Sequence, residues 1–136
     1  MLVLNNIRCS YDDAVVVQDL SLHVNRGAIA CLLGPSGCGK TTALRAIAGF
    51  HPIEAGEILL HERVVSRPGF MLPPEQRRLG MVFQDHALFP HLTVAENIGF
   101  GVRGVDAAQR RAVINEALAT VGLSALERRY PHELSG

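Results

Sequence analysis

Charge of one sign is missing: Lys plus Arg and Asp plus Glu number 13 each, so the 136 residues carry a formal net charge of zero. Without an overall basic field the chain does not recruit nucleic acid or an acidic membrane surface from a distance, and any nucleotide recognition has to be local. Long apolar runs are missing too. No stretch approaches the roughly 18 residues a bilayer-spanning helix requires, and the N-terminus lacks a charged segment followed by an apolar signal core. These absences predict a cytoplasmic chain that touches membranes only through partners. Cysteine is sparse. Cys9, Cys31 and Cys38 are odd in number and make no C-x-x-C pair, which argues against a disulfide framework and a zinc site and fits a reducing compartment. No repeat, low-complexity tract or flexible linker is visible. What remains is a 48% hydrophobic chain, one domain at most, long enough for a sizeable core.

Gly34-Pro35-Ser36-Gly37-Cys38-Gly39-Lys40-Thr41 has the G-x-x-x-x-G-K-[ST] form of a phosphate-binding loop. Ala28 to Leu33 is a short apolar run that reads as a buried strand entering the loop, and Thr41 to Ala48 has helical composition. Strand, loop and helix in that order are the context the motif demands. The glycines let the backbone turn successive N–H groups toward phosphate oxygens, and the new helix presents its positive end to the same anion. Lys40 is placed to reach the β- and γ-phosphates. The Thr41 hydroxyl suits Mg²⁺, a hard cation that takes oxygen ligands, and Thr42 adds a hydroxyl near the α-phosphate. Cys38 stands at the start of this helix, where thiols are activated. Two readings are open for it: a thiol whose alkylation blocks nucleotide binding and which bound nucleotide protects, or a small side chain at a tolerant loop position.

Elsewhere the first 27 residues alternate apolar and polar positions around Ser10-Tyr11-Asp12-Asp13, and Asn25-Arg26-Gly27 forms a turn, predicting antiparallel strands. Gly56 to His61 reads as a further strand. Arg67-Pro68-Gly69 and Pro73-Pro74 mark a loop returning to a strand from Leu79 to Gln84, so two kinds of sheet are expected before residue 85. The character then becomes helical. Thr93-Val94-Ala95-Glu96 is a capping-box pattern, and Asp106 caps a longer helix with Ala108, Val113, Ala117, Leu118 and Val121 as its core face and Gly122 at its close. Arg77-Arg78 and Arg110-Arg111 read as solvated faces, and His86 and His91 as ordinary surface or packing histidines.

The order of these motifs resembles the nucleotide-binding subunit of an ATP-binding cassette (ABC) transporter: Tyr11, the loop from Gly34 to Thr42, Gln84 after an apolar stretch, and Leu134-Ser135-Gly136. The wording of Ala48-Gly49-Phe50, Leu79 to Gln84, Leu88 to Val94 and Arg129 to Gly136 is most similar to bacterial iron(III) importer ATPases, while importers of polyamines, sulfate, molybdate and maltose share much of it. The implied fold is α/β, a P-loop NTPase core with an antiparallel β subdomain and an incomplete helical subdomain, a truncated ABC ATPase fold. Residues 1–27 would form the antiparallel β region, 28–84 the P-loop core and 85–136 part of the helical subdomain.

The resemblance also implies roles and partners. Tyr11 stacks on adenine, Gly34 through Thr42 hold ATP, Thr41 meets Mg²⁺, and Gln84 meets Mg²⁺ or the attacking water. Ser135 and Gly136 open a signature motif that contacts the γ-phosphate held by a second ATP-binding subunit in a head-to-tail dimer. Asp85 to Gly104 docks on transmembrane permease subunits, with Leu88, Phe89 and Leu92 either exposed contacts or helical core. A periplasmic solute-binding protein acts indirectly, nucleic acid has no part, and the location is the cytoplasmic face of the inner membrane. The family's hydrolytic Asp-Glu strand end and later histidine have no counterpart in this sequence. Negligible hydrolysis by residues 1–136 alone is therefore expected, along with exposed strand edges where the missing strand would lie.

Overall fold

The alternation at the start of the chain becomes two long strands, β1 (Leu2–Tyr11) and β2 (Ala14–Val24), paired antiparallel with Leu4 opposite Leu22 and Tyr11 opposite Ala14. The coordinates are a computed structural model, which describes residues 1–12, 14–84 and 88–134. β1 does not keep strict alternation: Leu4, Ile7 and Cys9 are its buried residues, because the register shifts between Leu4 and Ile7 around Asn6 at φ 46°. One extra residue there lets the inward face resume at Ile7. On the other edge of β1 lies β3 (Ala55–Leu60), with Leu4 opposite Ile58, and beyond it β4 (Arg63–Arg67) and β5 (Phe70–Met71). The sheet order is β2-β1-β3-β4-β5, antiparallel at every pairing.

Helix α1 (Lys40–Ala48) packs on β1 and β2 through Ala43 and Ala46, whose small side chains allow close approach to Leu4, Ile7, Cys9 and Val17. Ile53, Ile58, Leu60, Val65 and Leu72 complete this core. The helix ends at Gly49, φ 88°, where the Phe50 N–H reaches back to the Arg45 carbonyl and the Gly49 N–H to that of Ala46. This is the left-handed glycine stop that satisfies the last carbonyls of a helix.

Two expected strands do not form. Ala28 to Leu33 and Leu79 to Gln84 have no ladder partner among the described residues, and Ile29, Leu33 and Val82 are almost wholly exposed. Apolar β-favouring composition extends a backbone, but a strand exists only when neighbours supply its hydrogen bonds. The sheet before residue 85 is consequently of one kind among the described residues, antiparallel, and the Arg67-Pro68-Gly69 turn joins β4 to β5 within it.

The chain divides into two compact units, Met1–Met81 and Val82–Gly136. The second holds α2 (Val94–Gly99) and α3 (Ala107–Thr120), packed through Val94, Ile114 and Leu118. α2 begins with a full capping box: the Glu96 N–H donates to Thr93 Oγ1, and the Thr93 N–H and hydroxyl each donate to Glu96 Oε2 at 2.8 Å. Those donors hold the Glu96 carboxyl below its ordinary pKa. Asp106 caps α3 by accepting from the Gln109 N–H at 2.8 Å, and the helix closes at Gly122 with the Leu123 N–H on the Leu118 carbonyl. The core face of α3 differs from the expected one. Ala108, Val113 and Val121 face solvent, whereas Ile114 and Leu118 are buried and Ala117 half-buried. Ile114 and Leu118 lie one turn apart, and Val113 points about 100° away from Ile114.

Candidate functional site

The loop from Gly34 to Gly39 ends at the N-terminus of α1, which differs from α2 and α3 in one respect. α2 is capped by Thr93 and α3 by Asp106, whereas α1 has Gly39 at its N-cap and no side-chain cap; like α3, it has no acidic residue in its first turn. Its first N–H groups thus keep their donor capacity, and the positive end of the helix dipole is not neutralised. An anion is the complement such an end lacks.

Gly39 shows why glycine is needed at the turn. It sits at φ 89°, and a Cβ there would lie 2.2 Å from the Val16 carbonyl oxygen and 2.8 Å from Val17 Cγ2. The loop is pressed against β2 with no room for a side chain. Lys40 turns back over the loop, its Nζ donating to the carbonyls of Gly34 at 2.7 Å and Pro35 at 2.6 Å and lying 3.4 Å from Cys38 Sγ. Its ammonium is therefore held at the loop mouth beside the free helix end. A cavity of about 190 Å³ adjoins it, lined by Val16, Leu33, Cys38, Gly39, Lys40 and Ala43 among others. Pro35, Ser36, Gly37, Cys38 and Thr41 are exposed, so the rim of the loop is open to a ligand, and the Thr41 hydroxyl fits the oxygen preference of Mg²⁺. Thr42 is buried, at 7% exposure, unlike the exposed Thr41 beside it.

Tyr11 ends β1 and is 40% exposed. Its ring lies 4.5 Å from that of His51 at 39°, and its hydroxyl accepts from Arg45 Nη1 at 3.2 Å. The first unit thus joins Tyr11 to Arg45 and His51, and Arg45 lies on the helix that starts at the end of the Gly34–Gly39 loop. Gln84 is exposed and belongs to the second unit; Ser135 and Gly136 lie outside the described residues, as does His86. In the second unit Leu88, Phe89 and Phe100 are exposed, and Phe89 packs on Phe100 with ring centroids 4.4 Å apart. Asn97 organises this patch. Its Nδ2 donates to the carbonyls of Phe89, Leu92 and Thr93, and its Oδ1 accepts from the Phe89 N–H at 2.9 Å. Leu92 is half-buried and lies outside the cluster of Val94, Ile114 and Leu118, so Leu88 and Phe89 follow the exposed expectation and Leu92 follows neither fully.

Arg77 overturns its expected place on a solvated face. It is 4% exposed, with Nε donating to the Leu72 carbonyl, Nη1 to Ala46 and Ile47, and Nη2 to Val65 and Ser66 Oγ, all between 2.7 and 3.1 Å. Burial lowers its pKa. The guanidinium caps the C-terminal carbonyls of α1, the helix that follows the Gly34–Gly39 loop. The signal legible in sequence was only its place after the Pro73-Pro74 turn, which says nothing of burial. Arg78, at φ 53°, is exposed as expected.

The thiols separate by environment. Burial and the nearby Glu54 push Cys9 up to about 11, which leaves it an inert thiol at neutral pH, whereas Cys31 and Cys38 are exposed. In a Cys31→Ser background, alkylation therefore goes to Cys38. Its sulfur lies 3.4 Å from Lys40 Nζ, so labelling should weaken MgATP binding at least about tenfold and saturating MgATP should slow labelling by a similar factor. Unaltered affinity after complete labelling, read by mass spectrometry and calorimetry, removes the thiol from the site.

The same fold occurs in an ATP-binding cassette solved as a dimer in a post-hydrolysis state with ADP and Pi, at a TM-score of 0.84 and 26% identity over 99% of this chain and 63% of that one. The fold is that of an ABC ATPase. The sequence model of the ABC transporter family matches residues 17–136, and the chain belongs to that family. Among curated relatives, the putative 2-aminoethylphosphonate import ATP-binding protein PhnT of Salmonella typhimurium is 48% identical over 99% of this chain and 36% of its own length. The spermidine/putrescine import ATP-binding protein PotA of Vibrio cholerae is 45% identical over 98% of this chain and 35% of its own length. The Fe(3+) ions import ATP-binding protein FbpC of Haemophilus influenzae is 42% identical over all of this chain and 39% of its own length. The chain spans a little over a third of the length of these proteins.

Proposed function

We propose that these residues are the nucleotide-gripping part of the ATP-binding subunit of an ABC importer. The observation that carries the reading is the uncapped, acid-free N-terminus of α1 behind a glycine turn, with Lys40 held at its mouth. Loop amides from Gly34 to Gly39 take the phosphates, Lys40 supplies the compensating charge, and Thr41 offers its hydroxyl to Mg²⁺. Tyr11 supplies an aromatic face for adenine. Gln84 meets the metal or the attacking water, and Ser135 and Gly136 face the nucleotide of a second, head-to-tail subunit. We assign 1–27, continued by β3 to β5, to the antiparallel β region, the rest of 28–84 to the P-loop core and 85–136 to the helical subdomain of that subunit.

Phe89, Phe100 and Leu88, presented by the Asn97 hub, form the surface that docks on a transmembrane permease subunit at the cytoplasmic face of the inner membrane. No described helix is long and apolar enough to cross a membrane. A periplasmic binding protein takes part only through the permease. Solute choice lies with those other subunits: relatives between 42 and 48% identical carry names with 2-aminoethylphosphonate, sulfoquinovosyl glycerol, spermidine/putrescine and Fe(3+). Iron(III), favoured by the wording of the sequence, is one of these four.

Energy conversion belongs to the assembled transporter. Within these residues the chemistry supported is binding, because phosphoryl transfer to water also needs carboxylates to hold the metal and polarise the water, and the sequence has no Asp-Glu pair to supply them. The test is MgATP affinity and turnover on the purified chain, with monodispersity checked. Lys40→Ala should weaken binding by about 100-fold, since a desolvated ammonium-to-phosphate contact contributes about 2–3 kcal/mol. Neither protein should turn over ATP measurably. Lys40-independent binding removes the site; Lys40-dependent turnover at a steady rate places hydrolysis in residues other than those named.

A further inference from the structure

Tyr11 stands at the last position of β1, followed by Asp12 at φ 45°. A ring at a strand end, 40% exposed, keeps rotamer freedom unless other groups fix it, and freedom lost on stacking is subtracted from affinity. Two side chains that the sequence did not single out fix it here. His51 backs the ring at 4.5 Å between centroids, and Arg45 Nη1 donates to the phenol oxygen at 3.2 Å. His51 is itself held, its Nε2 lying 3.1 Å from the Ser10 carbonyl oxygen. A carbonyl only accepts, so Nε2 is the protonated nitrogen in this contact. Both residues belong to one stretch of chain: Arg45 lies within α1, and His51 follows just after its glycine stop at Gly49. The helix that presents Lys40 to the phosphates thus also carries the support for the ring, five residues and about 7.5 Å of helical rise further on.

We propose that Arg45 and His51 are positioning residues for the nucleobase, locking Tyr11 as a preformed platform whose side away from His51 receives adenine; the inference rests on the nucleotide reading above. It gives α1 and the residues just after its glycine stop a grip on both ends of the ligand. Neither residue belongs to the Gly34–Thr42 loop, so their contribution is expected at the base. That separation makes it measurable.

The chain contains no tryptophan and two tyrosines, so Tyr130→Phe leaves Tyr11 as the reporter of tyrosine emission. In that background MgATP and magnesium tripolyphosphate, which has no base, are titrated by calorimetry and by emission. Arg45→Ala and His51→Ala should each raise the MgATP Kd about tenfold, the scale of one base–aromatic stack, and leave the tripolyphosphate Kd within about twofold. ATP but not tripolyphosphate should quench Tyr11, with the quench reduced in both variants and restored by His51→Phe. Tyr11→Phe, which keeps the ring, loses the Arg45 bond and leaves no tyrosine to read, should fall between in MgATP Kd by calorimetry. Unchanged ATP affinity and quench in both alanine variants overturns the proposal while leaving the phosphate site intact. Equal weakening of ATP and tripolyphosphate also overturns it, since the residues would then be structural. If the unsubstituted chain binds neither ligand, the nucleotide reading fails and the platform with it.

Discussion

Arg77→Met should destabilise the first unit by about 3–5 kcal/mol, read as a fall in denaturant midpoint at unchanged slope. Methionine nearly matches the volume and removes every donor. The buried guanidinium serves the carbonyls of Leu72, Ala46, Ile47 and Val65 and the Ser66 hydroxyl, and no carboxylate is among these partners. Removing it strands several acceptors at once, each costing about 1–3 kcal/mol when desolvated and unpaired, although water entry and relaxation keep the total below their sum. Its charge is also placed where α1 ends, so the helix dipole loses its complement. Arg77→Lys should recover only part of the loss, because one ammonium cannot span acceptors on a helix end, β4 and the chain before β5's following turn. A change below about 1 kcal/mol in Arg77→Met would mean that water satisfies those carbonyls and that the arginine is a passenger. Gly49 belongs to the same device: a Cβ there would lie 2.5 Å from Arg77 Nε, so the glycine that stops the helix also admits the side chain that caps it.

What could be read in the sequence was what is encoded locally. The glycine turn into α1 depends on glycine spacing within eight residues, the two caps on Thr93 with Glu96 and on Asp106, and the Gly122 stop on a single residue; all four features appear where expected. Pairing is not local. Ala28 to Leu33 and Leu79 to Gln84 carry the composition of buried strands, yet composition does not say which segments lie beside them, and neither is paired among the described residues. Arg77 was illegible for the same reason, since its burial requires α1, β4 and the stretch around Leu72 to converge on one point. On α3 the error was one of phase. Val113 and Ile114 are neighbours of equal apolarity, and only the position of α2 decides that Ile114 is the one turned inward. Arg45 and His51 could not be linked to Tyr11 without knowing that the end of β1 meets α1.

Gly39→Ala should be the most damaging single methyl in the nucleotide site, with a loss of about 2–4 kcal/mol in stability and MgATP binding reduced by two orders of magnitude, roughly the effect of losing the loop geometry altogether. Two penalties act together. The backbone at φ 89° is a conformation that costs an alanine about 1–2 kcal/mol, and the new Cβ would meet the Val16 carbonyl oxygen at 2.2 Å, a backbone atom of a paired strand with little freedom to retreat. Relief requires the loop to lift from β2 or α1 to start elsewhere, and either movement turns the first amides of the helix away from the phosphates. Gly37→Ala separates the two penalties. Gly37 has a similar φ of 83° but open space around its would-be Cβ, so it should lose only about 1 kcal/mol and retain most of its affinity. Thermal unfolding and MgATP calorimetry on the pair decide the matter: equal losses would assign the site's sensitivity to backbone dihedrals alone, whereas a large loss confined to Gly39 ties nucleotide binding to the close approach of the loop to β2.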